Sequence, residues 1–180
     1  RQMCIRDRIE RIIETTNMTG CNPNKTPAST VALGSDKETE SWDQSEWNYA
    51  SVVGMLLYVS NNTRPDITYA VSQVARFTAA PRMSHAAAVK SIIRYLVHTK
   101  DKGLYFKPDG TYNMTIHCDA NLAGMYGVER CEDPASAKSR MGFIIKFGGV
   151  PMIWKSQLIT EICLLTAHSE YVALTLAVKA

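Results

Sequence analysis

At 180 residues and a formal net charge of +3, the chain has room for one ordinary domain, or for a small domain joined to part of another, and its charge alone names no partner. A hydrophobic content of 46% against 21% charged residues excludes a disordered tail. No apolar run approaches the ~20 residues that span a bilayer, and no secretory signal opens the chain, so neither a membrane partner nor secretion is expected.

The five cysteines, Cys4, Cys21, Cys118, Cys131 and Cys163, are odd in number, scattered and without a Cys-x-x-Cys pair. That pattern argues against a disulfide framework or a zinc knuckle and for a reducing, intracellular compartment. Residues 1–8 read as a non-native extension, and the chain as a piece of something longer. Residues 9–18 suit a helical turn or two, closed by Thr19 and Gly20. From Cys21 to about Asp43 the composition shifts to Pro, Asn, Ser, Thr and acids. Between residues 21 and 48, Asp36, Glu38, Glu40, Asp43 and Glu46 face only Lys25 and Lys37. With Pro23 and Pro27 stiffening it, 9–45 reads as an extended connector.

Three helical segments follow. In 46–60, Val52, Val53, Leu56 and Leu57 supply an apolar side. Pro65 suits a first helical position and Asp66 the positive end of the dipole. Beyond them, Ile67, Ala70, Val71, Val74 and Ala75 form a core-facing stripe that ends by Pro81. Ser84 is an expected N-cap for the third helix, which buries Val89, Ile92, Ile93 and Leu96 and closes near His98. His85 and His98 are expected on its polar side.

From Leu104 the period becomes extended. Residues 104–106 form a short strand candidate, 108–110 a turn, and 114–119 a strand. In that strand Met114, Ile116 and Cys118 alternate with Thr115, His117 and Asp119. An irregular acidic loop leads to a hairpin, 141–147 and 150–155, whose Gly148-Gly149 turn needs glycine's dihedrals. Residues 161–180 are helical.

Two carboxylates stand out. Asp119 sits where a half-buried strand gives way to small residues and Gly124. Glu170 shares a helical face with Cys163, Thr166, Ala167, Ala173, Leu174 and Ala177, a small apolar stripe in which an unpaired charge is costly. Together they suit a hard cation such as Mg²⁺, although two-metal chemistry requires at least one more carboxylate. The bland alternatives are a solvated strand Asp and a terminal-helix Glu turned outward. On the third helix Lys90, Arg94 and His98 lie at i, i+4 and i+8. Between residues 81 and 107, Arg82, Lys90, Arg94, Lys100, Lys102 and Lys107 face only Asp101. That ridge could follow a phosphate backbone, or be an ordinary solvated face.

An ordered series of motifs resembles one family. Tyr49-Ala50-Ser51-Val52-Val53-Gly54-Met55-Leu56-Leu57-Tyr58 and Thr63-Arg64-Pro65-Asp66-Ile67 are similar to the segment after the polymerase core in Pol polyproteins of copia-type LTR retrotransposons. The series continues with Pro81 to His85, Arg94-Tyr95-Leu96 with Thr99, and Asp119 to Gly124. It closes with Ser139 to Gly142, Ile153 to Gln157, and Glu170 to Leu174. The Asn22-Pro23 and Thr26-Pro27 pairs are similar to the family's connector, and the likeness covers residues 9–180. Asn121 and Leu122 stand where the family usually has Asp and Trp.

The resemblance implies a transposable-element fragment: the end of a reverse transcriptase region joined to the N-terminal half of a ribonuclease H domain. The expected fold class is α+β or α/β, a helical connection region followed by an incomplete RNase H-like mixed sheet with a packed helix. The expected boundaries are 46–102 for the connection region and 103–180 for the truncated RNase H-like domain. By the same resemblance Asp119 and Glu170 are catalytic carboxylates of a two-ion Mg²⁺ site that hydrolyses RNA in RNA–DNA hybrids. Lys90, Arg94 and His98 would help cradle the hybrid. The partners implied are that hybrid and the rest of the polyprotein, in the cytoplasm or in element particles, with no small-molecule cofactor. The next catalytic Asp of the family falls past Ala180, and the polymerase's paired-Asp motif is absent. The fragment is therefore expected to be inactive or very weak. Its rival readings are a noncatalytic nucleic-acid-binding remnant and a plain structural segment.

Overall fold

A computed structural model describes residues 5–29, 33–35, 38–129 and 133–180, so Cys4, Cys131, Asp36 and Lys37 lie outside the described residues. The chain divides into two compact units, Arg1–Leu104 and Tyr105–Ala180.

The first unit is helical: α1 (Ile5–Thr15), α2 (Tyr49–Asn62), a 3₁₀ turn (Pro65–Ile67), α3 (Thr68–Ala75) and α4 (Met83–His98). The helix α1 runs back through residues 5–8, and Ile9 and Ile12 are buried among Val52, Leu56, Val89 and Ile93. Helix α2 starts three residues later than its apolar pattern suggests, because Asn48 caps it: its Oδ1 accepts from the Ser51 amide at 2.8 Å. Pro65 opens the 3₁₀ turn, and α3 stops at Ala75, well before Pro81. Its stripe nevertheless faces inward, with Ile67, Ala70, Val71 and Val74 buried. Helix α4 is entered from Arg82, not from Ser84. The capping is done by His85, whose Nδ1 accepts from the Arg82 amide at 3.0 Å.

Of the stretch 9–45, read from sequence as an extended connector, residues 9–15 belong to α1, and the described residues from 16 on, continuing to 48, are a strap packed onto this unit. Met18, Ala28 and Leu33 rest against the core, and Trp42 and Trp47 are part of it. The two indoles meet at 4.7 Å between ring centroids, and Trp42 Nε1 donates to the Trp47 carbonyl at 3.2 Å. An antiparallel bridge between Ser41 and Arg82, with the Trp42 amide donating to the Pro81 carbonyl, ties the strap to the start of α4. Apolar bulk set between polar residues thus holds against the helices a stretch that composition reads only as a connector.

The second unit is α+β. Strands β1 (Met114–Asn121), β2 (Arg140–Phe147) and β3 (Val150–Leu158) form an antiparallel sheet in the order β1-β2-β3, in keeping with the antiparallel portion of an incomplete RNase H-like fold. Gly148 and Gly149 both have positive φ, 55° and 78°, the conformation that a two-residue hairpin of this twist requires. Helix α5 (Thr166–Val178) packs on β1 and β2. The core between them holds Ala120, Met141, Phe143, Ile145, Ile159, Cys163, Ala173 and Ala177. The strand expected at 104–106 does not form: those residues carry no regular secondary structure, and Tyr105 and Phe106 are exposed. No helix among the described residues is long and apolar enough to cross a membrane.

Candidate catalytic and nucleic-acid-binding site

Asp119 lies within β1, opposite Gly142 of β2. Strand alternation directs Ile116, Cys118 and Ala120 toward the core with α5, so Asp119 leaves β1 on the other face and is exposed. His117, two residues earlier, shares that exposed face. The strand runs two residues beyond Asp119 and then turns sharply. Ala123 takes φ +46° and its amide donates to Ser139 Oγ at 3.3 Å. A Cβ on Gly124 would stand 2.9 Å from Asn121 Nδ2, so a side chain there would push the exposed Asn121 side chain aside. Ser139 is fully buried, and its carbonyl accepts from the Ile159 amide at 2.8 Å. One residue therefore fastens the exit of β1 to the exit of β3.

On α5 the sheet-facing stripe is Ser169, Ala173 and Ala177, each four residues apart and buried. Thr166, Ala167 and Leu174, expected on the buried face, are exposed, while Glu170 borders the stripe and is half-buried. Small residues at this spacing bring α5 close to the strands. The Glu170 side chain emerges beside that contact and is not enclosed by it. Neither Asp119 nor Glu170 makes a side-chain hydrogen bond or ion pair among the described residues. No group of three His, Cys, Asp or Glu side chains that could hold a metal ion occurs among them either. Two unspent carboxylates are suitable hard-cation donors, but they are not a complete site.

The basic side chains of α4 also make contacts within the first unit. Lys90 Nζ pairs with Glu46 at 3.3 Å and lies 5.0 Å from the Trp42 ring centroid. Arg94 Nε donates to the Asn22 carbonyl at 2.6 Å. Arg82 reaches the Thr39 carbonyl at 3.0 Å, and Arg76 the Leu33 carbonyl at 3.2 Å. Four cations of this unit thus hold the strap. His98 is exposed. His85, expected on the polar side of α4, is instead fully buried: its ring stacks on Phe77 at 3.9 Å. Because Nδ1 accepts from the Arg82 amide, Nε2 carries the hydrogen and donates to the Gly34 carbonyl at 2.9 Å. A buried histidine is tolerated here because both ring nitrogens are satisfied.

Two of the sequence motifs meet in a node that their spacing did not disclose. Arg64 is only 2% exposed, and its guanidinium grips Asp66 in bidentate fashion at 2.9 and 2.7 Å. It also donates to the Thr99 carbonyl at 2.8 Å and to Thr99 Oγ1 at 2.7 Å. Tyr95 completes the ring, donating to Asp66 at 2.8 Å. Burial works against ionisation of Asp66, but the hydrogen bonds from Arg64 and Tyr95 and the Arg64 charge outweigh it, holding its pKa below the usual carboxylate value. The residues flanking Pro65 are thereby tied to the C-terminus of α4. The clue in the sequence was a Pro-flanked Arg and Asp of opposite charge, which has no obvious partner until α4 folds back.

Comparisons agree with this reading at the level of family. The chain is 34% identical over 172 residues to the retrovirus-related Pol polyprotein from transposon TNT 1-94 of Nicotiana tabacum, covering 93% of this chain and 12% of that protein. It is 32% identical over 161 residues to the Pol polyprotein from transposon RE1 of Arabidopsis thaliana, covering 89% of this chain and 10% of that protein. The chain thus spans about a tenth of the length of these polyproteins. It is also 33% identical over 131 residues to the secreted RxLR effector protein 161 of Plasmopara viticola, covering 73% of this chain and 87% of that protein. No protein-family model and no solved structure matches the chain. An α+β unit preceded by a strapped helical unit, aligned along nine-tenths of its length with transposon polyproteins, belongs to the Pol polyprotein family of copia-type retrotransposons.

Proposed function

We propose that the chain is a reverse transcriptase connection region followed by the first half of a ribonuclease H domain, within a polyprotein that hydrolyses RNA in RNA–DNA hybrids. The observation that supports this reading most is the pair Asp119 and Glu170. Neither side chain has a partner among the described residues; Asp119 stands on β1, on the sheet face away from α5, and Glu170 stands on α5 beside the helix–sheet contact. Their carboxylate oxygens would hold Mg²⁺, with further ligands from elsewhere in the polyprotein. When bound, the ions activate water and stabilise the leaving oxygen. Lys90, Arg94 and His98 would add positive potential toward the hybrid, beyond the contacts by which Lys90 and Arg94 hold the strap. Free thiols at Cys21, Cys118 and Cys163 suit a reducing compartment such as the cytoplasm or an element particle.

The test is titration of the chain with Mn²⁺ as a paramagnetic probe. Amide signals next to Asp119 and Glu170 should broaden first, and Asp119→Asn should abolish the effect at that strand. In a longer polyprotein segment the same substitution should remove hybrid cleavage while leaving hybrid binding in place. Broadening confined to other carboxylates would sink the assignment. A second reading, a noncatalytic remnant, is favoured by the lack of a three-ligand group among the described residues. It predicts hybrid binding that Asp119→Asn leaves unchanged and no cleavage in any longer segment.

A further inference from the structure

His85 is fully buried where three parts of the first unit meet. Its ring stacks on Phe77, beyond the end of α3, while Nδ1 accepts from the Arg82 amide at the start of α4 and Nε2 donates to the Gly34 carbonyl of the strap. The backbone that Nδ1 fixes is the same backbone that grips the strap. The Met83 amide donates to the Glu40 carbonyl and the Trp42 amide to the Pro81 carbonyl, both at 3.0 Å, and Arg82 forms the bridge with Ser41. The Arg82 guanidinium reaches the Thr39 carbonyl at 3.0 Å. One imidazole thus holds the strap twice: directly at Gly34, and through residues 81–83 at residues 39–42. The charged groups around it are Arg82 itself, Arg76, whose guanidinium lies 4.9 Å from the centroid of the Phe77 ring, and the exposed Glu38 and Glu40 of the strap. The strap's Asp36 and Lys37 lie outside the described residues.

We propose that His85 is a proton-operated latch: neutral, it closes the strap onto the start of α4, and protonated, it releases the strap at residue 34 and residues 39–42. The closed arrangement needs one bare ring nitrogen and one N–H, which neutral imidazole alone offers. A proton on Nδ1 would set an N–H against the Arg82 N–H, two donors 3.0 Å apart with no acceptor between them. Either the backbone at Arg82 moves away, taking with it the bonds to Glu40, Ser41 and Trp42, or the ring swings out and loses Gly34. Both escapes loosen the strap. A buried ring also disfavours the added charge, and the first turn of α4, the positive end of its dipole, disfavours it further. The strap's other holds, Arg94 on the Asn22 carbonyl and the ion pair of Lys90 with Glu46, do not pass through an imidazole, so the release stays local. The open ring takes up a proton that the closed ring refuses. Closure is therefore favoured fully above the ordinary histidine range, about pH 6.5, and is lost as pH falls below it.

The experiment is hydrogen exchange of the full chain followed by NMR at about pH 7.5 and about pH 5.0, with protection corrected for the intrinsic pH dependence of exchange. Protection of the Trp42, Arg82 and Met83 amides should fall about 30-fold, the factor for an open state that gains one proton at the ordinary histidine pKa of ~6.5 while the closed state gains none. Amides in the middle of α2 should keep theirs. In His85→Gln the side chain can still accept from the Arg82 amide, as glutamine does at the third position of a capping box, but it does not titrate. There the drop at Trp42 and Met83 should disappear. A drop of equal size in His85→Gln would overturn the proposal. So would a loss of protection in α2 in step with the strap, which is ordinary acid unfolding. Should the variant not fold, ¹⁵N shifts of the wild-type imidazole decide. At the higher pH Nδ1 should be bare and Nε2 protonated, and an Nδ1 that gains its proton while the Arg82 amide stays protected would also overturn the latch.

Discussion

At the scale of single residues, Arg64 is a buried cation whose charge is answered by one carboxylate, two carbonyls and one hydroxyl. Removing Asp66 leaves that cation without its counter-charge. Asp66→Ala should therefore cost about 3 kcal/mol, the lower end of the range for breaking a buried pair, because Asp66 is 37% exposed; the urea midpoint reads it. The same pair sets a pH dependence. The Asp66 pKa is lower folded than unfolded, so its contribution is complete above the ordinary carboxylate range and is lost as pH falls through the lowered folded value. The wild type should lose stability faster than Asp66→Ala as pH falls below about 4, measured by thermal melts of both. None of this was readable at Arg64 itself, because a cation flanked by Pro looks like a surface turn until Thr99 and Tyr95 arrive from 31 or more residues away. Asp119 was more legible, since strand alternation alone assigns it to the polar side of β1.

At the scale of elements, periodicity located four of the five helices and all three observed strands, because each has a buried face of regular spacing. It failed where structure comes from isolated anchors. The strap has no period; its Trp42 and Trp47 are two large apolar side chains among polar neighbours, and composition hid them. Trp42→Ala should cost about 3 kcal/mol or more, the usual penalty for truncating a buried indole, and should expose Lys90 by removing the ring beneath it. Hydrogen exchange would show the loss in α2 and α4, with protection in β2 unaffected. The hairpin turn behaves in the opposite way, since Gly148-Gly149 declares itself in sequence. At Gly149, φ is 78° and a Cβ would come within 2.9 Å of Asp109 Oδ2, so Gly149→Ala should cost at least ~1 kcal/mol of unit stability in denaturant titration. Ser84 was the wrong cap because a histidine one residue later supplies a better-placed acceptor.

At the scale of the whole molecule, the two compact units meet in sequence at Leu104 and Tyr105, flanked by Lys102 and Lys107 in a stretch without helix or strand. Limited trypsin treatment should cut first at those lysines and release two pieces that each keep their secondary structure. Early cuts inside the strap would contradict its packing. A second consequence concerns the two sides of the sheet, which are unequally guarded. The outer side of β3 carries Pro151, and a register shift lies between Ile145 and Lys146 where it pairs with β2; both features discourage a further strand. β1 has neither: its eight residues run in unbroken register with β2, and among the described residues nothing pairs with its other side. That row of amides and carbonyls is a ready template. In isolation at high concentration the chain should recruit a second copy along β1, growing by backbone hydrogen bonds and not by side-chain affinity. A proline placed at Met114, an exposed position whose amide faces away from β2, should suppress that growth.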